Sequence, residues 1–190
     1  MANIIEEVTG VSIKEYLDKE VFLPLGMKNI TFALPKVKQK DLAQYYSVDS
    51  NGNLKKELYD PTYSWGTDLF STAEDYYKFC QLLLNNGQFK GKQFIRPELL
   101  KELYKPTVGL NGEAIPWQKG YAFGLGASVR VNNEKADYKG SLGDYGWFGG
   151  FNTAFWVDPQ KQIIGIVLSQ SYHDFYQLSK KVKNIIYSTD

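Results

Sequence analysis

The segment at residues 140–151 constrains the fold of this chain more than any other, because it places five glycines among aromatic residues. An alternating apolar stretch, typical of a β-strand, follows it directly. Glycine is needed where φ is positive or where another molecule approaches the backbone closely. We therefore interpret this segment as a sheet edge that offers backbone N–H groups, beside Trp147, to an anionic or carbonyl oxygen.

The composition indicates one globular domain and excludes some classes of partner. The chain has 190 residues, of which 43% are hydrophobic, and its net charge is +1. So balanced a charge produces no long-range field that favours nucleic acid or an anionic membrane surface. No apolar run approaches the roughly 20 residues of a membrane span. The first residues carry neither the basic region nor the long apolar run of a signal peptide.

Helix signals dominate the first half of the sequence. A capping box at residues 12–15 predicts a helix to about Val21, and a second box at residues 71–74 begins another helix. Pro97 stands where the first turn of a further helix prefers a proline. Residues 30–64 show little periodicity, and we expect them to form a loop with a short hairpin.

Strand patterns dominate the second half. Three stretches, at residues 121–131, 151–157 and 163–168, alternate or are continuously apolar. The third is apolar apart from Gly165, as expected of a strand covered on both faces. An amphipathic helix follows at residues 175–186. The sequence therefore predicts an α+β fold in which three antiparallel strands and a C-terminal helix form a small sheet that lacks neighbouring strands.

Most common catalytic arrangements are absent from the sequence. The only histidine is His173, and no Gly-x-Ser-x-Gly motif supplies the nucleophile of a Ser-His-Asp triad. The only cysteine, Cys80, lies on the apolar stripe of a helix and is interpreted as a core residue. One histidine and one cysteine cannot form the usual metal sites. Asp144 and Glu134 are interpreted as solvated loop charges.

Five short motifs occur in order along the chain. They are Thr-Gly at residues 9–10, Pro-Leu-Gly-Met at 24–27, Phe-Ser-Thr-Ala-Glu-Asp at 70–75, Gly-Trp-Phe-Gly-Gly at 146–150 and Trp-Val-Asp-Pro at 156–159. With these motifs the chain resembles the serine β-lactamase and penicillin-binding protein superfamily, and most closely its class C β-lactamase-like esterases and carboxypeptidases. The resemblance covers nearly all of the 190 residues and implies a β-lactamase/transpeptidase-like fold.

The resemblance also implies acyl-enzyme chemistry without a metal or an organic cofactor. In that family a serine of a Ser-x-x-Lys motif is acylated, and the lysine and the tyrosine of Tyr-x-Asn move the protons. Trp147 and Gly149 match the third family motif, Trp-x-Gly, on a strand. By the same resemblance Trp147 would shape the wall on the acyl side, and Gly150 would donate its N–H to the oxyanion. The residues expected to contact substrate are Trp65, Tyr145 and Phe148. An aromatic side chain packed within its own loop is the alternative interpretation of Trp65.

Two of the family motifs are missing from the chain. No serine is followed three residues later by lysine, and no tyrosine stands two residues before asparagine. Both motifs precede the matched part in the family, so the chain resembles the family's C-terminal portion. We expect residues 1–118 to be part of the helical subdomain and residues 119–190 to be the C-terminal strands and helix of the α/β subdomain. The complete protein is expected to hydrolyse an ester or amide, and the isolated chain to be inactive.

A non-catalytic binding module is the alternative interpretation. An aromatic wall without a nucleophile can hold a peptidoglycan-like peptide or an acyl group. An open sheet edge can also pair with a separate N-terminal half or with a second copy of the chain. Trp-x-Gly in place of Lys-Thr-Gly favours an esterase over a β-lactamase. Since relatives often work in the cell envelope, the resemblance implies an envelope or secreted location.

Overall fold

The computed structural model describes residues 2–32, 40–57, 69–113, 115–170 and 176–188. The chain divides into two compact units. Unit 1 consists of Met1–Ala43 and Leu58–Phe79, and unit 2 consists of Gln44–Glu57 and Cys80–Asp190. These boundaries differ from the division at residue 118, which concerns the subdomains of the complete protein and stays a prediction. No helix in the described ranges is both long and apolar enough to cross a membrane.

Unit 1 begins with short helices whose ends follow local capping rules. After α1 (Ala2–Thr9), the Ser12 hydroxyl accepts a hydrogen bond from the Glu15 N–H at 3.2 Å and caps α2 (Ile13–Leu17). The predicted capping box is therefore confirmed. The helical backbone then runs beyond the predicted end at Val21, through a π-helical turn (Asp18–Phe22) and α3 (Leu23–Leu25). It stops at Gly26, whose φ of 69° is easily reached only without a side chain.

Helix α4 (Ala73–Leu84) begins one residue later than the sequence predicts. Thr72, rather than Ser71, caps it, because the Thr72 hydroxyl accepts from the Asp75 N–H at 3.3 Å. The Asp75 carboxylate is buried, and within unit 1 it accepts from the Asn29 N–H at 2.5 Å and from the Lys78 ammonium at 2.7 Å. The last part of α4, from Cys80 onward, belongs to unit 2.

Unit 2 contains two small hairpins and helix α5. The hairpin predicted within residues 30–64 is present as β1 (Tyr46–Val48) and β2 (Leu54–Lys56). Its turn is stabilised by the Asp49 carboxylate, which accepts the N–H groups of Asn51 and Asn53 at 2.8 Å. The other elements are the second hairpin and the helix that Pro97 opens, namely β3 (Gln88–Phe89), β4 (Lys92–Gln93) and α5 (Pro97–Tyr104).

The main sheet of unit 2 has five antiparallel strands in the order β5-β6-β7-β8-β9, so the predicted number of three is corrected. The alternating stretch at residues 121–131 is two strands, because the chain reverses where Gly124 packs against the carbonyl of Leu103. The glycine-rich segment supplies a further strand of its own. The five strands are β5 (Tyr121–Phe123), β6 (Ser128–Arg130), β7 (Tyr145–Gly149), β8 (Thr153–Asp158) and β9 (Ile163–Val167).

The C-terminal helix α6 (Gln177–Ile186) packs on this sheet as predicted. Trp156, Val167 and Tyr187 form the buried contact, and the Trp156 indole lies across the bare backbone of Gly165. Strand β9 pairs with β8 and stands at the end of the strand order. Its isoleucines are only half-buried, so the expectation that both faces are covered is corrected for the described residues.

Candidate active site

Strand β7 and the turn after it hold the residues that match the third family motif. Trp147 pairs with Phe155, and Gly149 pairs with Thr153, so both lie in the hydrogen-bonded ladder. Gly150 follows the strand, in the turn to β8. The Asn152 N–H closes this turn by donating to the Gly149 carbonyl at 3.0 Å. The structure therefore places Trp147 in the middle of β7, Gly149 at its last position and Gly150 directly after it.

The two glycines at this end differ in their surroundings. A Cβ on Gly149 would overlap the Thr153 hydroxyl, whereas a Cβ on Gly150 would meet no atom within 4 Å. Gly150 is exposed. Within the part of the chain that the structure describes, its N–H donates to no backbone carbonyl. This backbone donor is thus open to approach from outside unit 2.

The Trp147 side chain is half-buried and held by other rings. Its indole meets Phe123 edge-on, with 4.9 Å between ring centroids and an interplanar angle of 71°. It also packs against the buried cluster of Ile115, Tyr121 and Tyr138. Edge-to-face packing of this kind favours one orientation of the ring. The Trp147 indole is therefore held in one orientation, and this residue stands three positions before Gly150 in the sequence.

Tyr145 and Phe148 point into unit 2. Tyr145 is 1% exposed and stacks on Tyr104 of α5 at 4.4 Å, and burial raises the pKa of its hydroxyl. The prediction that Tyr145 contacts substrate is therefore corrected to a packing role. Phe148 is half-buried and lies 4.4 Å from the ring of Tyr176. The cavity beside Trp147 and Phe148 has a volume of about 20 Å³, enough for roughly one water molecule rather than a substrate.

Asp144, just before β7, is buried rather than solvated, so its interpretation as a loop charge is corrected. Its side chain is fully enclosed and accepts four hydrogen bonds. Oδ1 accepts from the Tyr121 hydroxyl at 2.8 Å and the Lys183 ammonium at 2.9 Å, and Oδ2 accepts from the Ser141 N–H at 3.0 Å and Arg130 Nε at 3.2 Å. Three of these four donors come from residues at least 14 positions away in the sequence, which explains why loop composition did not indicate them. Glu134 is exposed, as predicted.

Lys183 of α6 is a buried cation that sequence reasoning missed, as are Arg130 and Lys180. Burial lowers the pKa of its ammonium from the ordinary 10.5 to about 8, while the Asp144 carboxylate acts in the opposite direction. The signal was available: Tyr176, Lys180, Lys183 and Tyr187 recur at helical spacing on one face. A second buried carboxylate, Asp158, accepts from the Tyr187 hydroxyl at 2.6 Å.

Other candidate groups do not form a reactive centre among the described residues. Cys80 is fully buried, and burial raises the pKa of its thiol to about 12, which confirms its interpretation as a core residue. No cluster of three or more histidine, cysteine, aspartate or glutamate side chains in the described ranges is arranged to hold a metal ion. Trp65 and His173 lie outside the described residues.

Comparisons with known proteins identify the family and the fold of this chain. A beta-lactamase family model matches residues 1–183, and the chain therefore belongs to the beta-lactamase family. Protein Rv1367c of Mycobacterium tuberculosis is 27% identical over 188 residues, which are 90% of this chain and 46% of that protein. A putative D-alanyl-D-alanine carboxypeptidase of Escherichia coli K12 is 26% identical over 195 residues. The match covers 90% of this chain and 42% of the length of the carboxypeptidase.

A solved structure shows the same architecture. EstCE1, described as a hydrolase with promiscuous acyltransferase activity, superimposes with a TM-score of 0.83 at 19% identity. The match covers 98% of this chain and 53% of EstCE1. The α+β, β-lactamase/transpeptidase-like fold expected from the sequence is thereby confirmed. The chain spans about half the length of the relatives it matches.

Proposed function

We propose that this chain is the C-terminal portion of a serine hydrolase that cleaves an ester or amide through an acyl-serine. The observation that carries the proposal is the exposed Gly150 directly after β7, three residues beyond Trp147, whose indole is held by Phe123. Membership of the beta-lactamase family and the half-length match to its relatives support it. The esterase-like Trp-x-Gly motif favours an ester as the substrate.

In the proposed reaction, a serine hydroxyl from the N-terminal portion attacks the substrate carbonyl carbon and loses its proton to a base of that portion. The carbonyl oxygen then carries a negative charge, and the Gly150 N–H donates a hydrogen bond to it. The leaving group departs with a proton, and water later hydrolyses the acyl-serine. Loss of one such donor typically raises the barrier by about 3 kcal/mol. Trp147 forms the wall against the acyl group.

The intact mass of the natural gene product, with and without a fluorophosphonate probe, tests this proposal. We expect a product longer than 190 residues that gains one probe mass on a serine outside this chain. The 190-residue chain alone should gain none, because it lacks a Ser-x-x-Lys motif. A probe adduct on a serine within this chain, or a longer product that remains unlabelled, would contradict the proposal.

A second candidate function is assembly through the edge strand β9. Its half-buried isoleucines and its place at the end of the strand order favour pairing with a strand from an N-terminal half or from a second copy. Light scattering of the purified chain distinguishes the two partners. A concentration-dependent dimer supports pairing between copies. A monomer that binds a separately produced N-terminal portion supports the other partner, and a monomer that binds neither argues against assembly.

A further inference from the structure

Helix α6 contacts both ends of the segment that carries the candidate oxyanion donor. At the start of β7, Lys183 donates to Asp144 at 2.9 Å. At the other end, the Tyr176 N–H donates to Asn152 Oδ1 at 2.9 Å, in the turn that contains Gly150. Both contacts are buried. Tyr176 is the N-cap residue of α6 and Lys183 lies within the helix, so this one element and its cap make both contacts.

The loop before β7 is closed around the Asp144 carboxylate. The Arg130 N–H donates to the Asp144 carbonyl at 2.9 Å, and the Gly143 N–H donates to the Arg130 carbonyl at 2.9 Å. A side chain on Gly140 would overlap the Asp144 carboxylate and the Arg130 guanidinium. This packing leaves the carboxylate little freedom. A shift of Asp144 must therefore move the first residues of β7.

The turn after β7 depends on a residue in an uncommon conformation. Asn152 has a φ of 64°, a conformation that asparagine adopts more readily than most residues and that glycine adopts without strain. Its side-chain amide reaches α6, and its carbonyl accepts from the Ser169 hydroxyl at 2.9 Å. Between the two buried contacts, Phe148 packs on Tyr176 at 4.4 Å. The helix and its N-cap residue thus contact Asp144 just before β7, Phe148 within β7 and Asn152 in the following turn.

The environment of Lys183 is closed on every side by charged or aromatic groups. Its ammonium faces two carboxylates, one guanidinium and the rings of three tyrosines and one tryptophan, which lie 5.4 to 5.8 Å away. These groups are Asp144, Asp158, Arg130, Tyr121, Tyr138, Tyr187 and Trp156. Lys183 is therefore held in one position, and a change in its charge acts on the start of β7.

We propose that Asn152 and Lys183 are positioning residues for the proposed hydrolysis, because through α6 they hold the Gly149–Gly150 backbone where the acyl oxygen is bound. This inference rests on the proposed function, since it takes the end of β7 as the oxyanion site. Neither side chain touches the substrate. Each acts on the N–H groups of the turn through β7 or through the turn backbone.

The substitution Asn152→Gly distinguishes a role of Asn152 in positioning the Gly149–Gly150 backbone from a contribution to the stability of the fold alone. Glycine tolerates the positive φ, so the fold is retained, but the acceptor for Tyr176 is lost. Gln162→Gly is the matched control, because Gln162 also has a positive φ, 56°, in the exposed turn after β8. In the natural gene product labelled with ¹⁵N-glycine, Asn152→Gly should shift the Gly149 and Gly150 amide signals and speed their hydrogen exchange. Gln162→Gly should leave both unchanged.

The activity of the same variants gives an independent readout. We expect Asn152→Gly to lower kcat for ester hydrolysis about tenfold with little change in KM, a pattern that a merely structural role would not produce. The amide signals require no substrate, so they report positioning even if the protein does not hydrolyse esters. Unchanged Gly149 and Gly150 signals in Asn152→Gly would overturn the inference, whether or not hydrolysis is observed.

Titration of Lys183 tests the contact at the start of β7. In the wild type, the Gly149 and Gly150 amide signals should change with a midpoint near pH 8, where the ammonium loses its proton. Lys183→Met should abolish this transition, and Lys183→Arg should keep the signals at their low-pH positions throughout. Lys181→Met, on the exposed side of the same helix, should retain it. Glycine signals that do not respond while the Lys183 side chain titrates would refute the contribution of Lys183.

Discussion

Lys183 belongs to a set of four buried charges that balance each other. Asp144 and Asp158 carry the negative charges, Arg130 and Lys183 carry the positive ones, and none of the four is more than 4% exposed. Removing one partner of a buried pair leaves an uncompensated charge, which costs several kcal/mol. The pairing of these charges therefore fixes the position of α6 on the sheet more specifically than apolar packing alone would.

The pH dependence of stability should reveal the buried ammonium. Folded Lys183 releases its proton near pH 8, whereas the unfolded chain keeps it to above pH 10. Between pH 8 and 9.5 the unfolded state binds more protons, so this group makes the free energy of unfolding rise with pH, by at most about 1.4 kcal/mol per pH unit. Urea unfolding of Lys183→Met should lack this rise relative to the wild type.

Comparing the variant with the wild type is essential for this prediction. Burial raises the pKa of the Cys80 thiol and of several tyrosines, so those groups lower stability at high pH and act against Lys183. Contributions from groups that do not contact Lys183, such as Cys80, cancel in the difference between the two proteins, whereas Tyr121 contacts Lys183 and its contribution stays in that difference. Lys181→Met, with its exposed side chain, should follow the wild-type curve. Parallel curves for the wild type and Lys183→Met would show that Lys183 is not titrated in this range.

At the residue scale, local pattern predicted the apolar residues better than the charged ones. Cys80 was placed correctly because helical spacing alone identifies the buried stripe of α4. Asp144 was misplaced because its burial depends on donors from β6 and α6, which no local pattern connects to it. Trp147 and Gly150 were singled out by the family motif, but the positions of their neighbours required the folded chain.

At the scale of elements, the N-terminal cap of α4 can be tested by single substitutions. Thr72→Ala should lower the free energy of unfolding by about 1 kcal/mol, because the Asp75 N–H loses its acceptor. Ser71→Ala should cost less, since the Ser71 hydroxyl donates to the Thr72 carbonyl and caps no N–H. Denaturant unfolding of the two variants measures the difference. Equal losses would contradict the assignment of the cap to Thr72.

The contact between β9 and β8 depends on the absence of a side chain at Gly165. A Cβ there would overlap the Trp156 indole, so Gly165→Ala should lower the free energy of unfolding by about 1–3 kcal/mol. Gly150→Ala is the matched comparison, because its Cβ would enter open space, and its stability should stay within about 0.5 kcal/mol of the wild type. Thermal unfolding checks both. Similar losses in the two variants would refute this account of Gly165.

Helices and turns were predictable from the sequence where a single signal within a few residues determines where they begin. The capping box at Ser12, the proline at the start of α5 and the Asn-Gly turn of the β1–β2 hairpin each act within a few residues. The β5–β6 hairpin was missed because the apolar alternation continues through its turn, at residues 124–127. Only the packing of Gly124 against the Leu103 carbonyl of α5 reveals the reversal, and that contact is distant in sequence.

At the scale of the whole molecule, activity should require both portions. A separately produced N-terminal portion containing the Ser-x-x-Lys motif, mixed with this chain, should become labelled by a fluorophosphonate probe more rapidly than it does alone. The reason is that the Gly150 N–H would complete the oxyanion site. The mixture with Gly150→Pro, which removes the N–H, should label more slowly than the mixture with the unchanged chain. Equal labelling with and without this chain would contradict the requirement.

The overall architecture could be predicted because five motifs in fixed order indicated the family, and the family model confirms it. The number of strands and the separation into units could not, because both depend on contacts between distant segments. The nucleophile and the remaining substrate wall could not be located either. The residues expected to supply them match nothing in this sequence.

The two contacts of α6 also bear on the order of events during protein synthesis. Strands β5 to β9 leave the ribosome before α6 does, with the Asp144 carboxylate still without Lys183 and the Asn152 amide without its donor. Groups of this kind stay hydrated until a partner arrives, because burying them unpaired is costly. Unit 2 therefore completes its core only after translation has passed Tyr187. Until then, we expect the edges of these strands to be open to pairing with other chains.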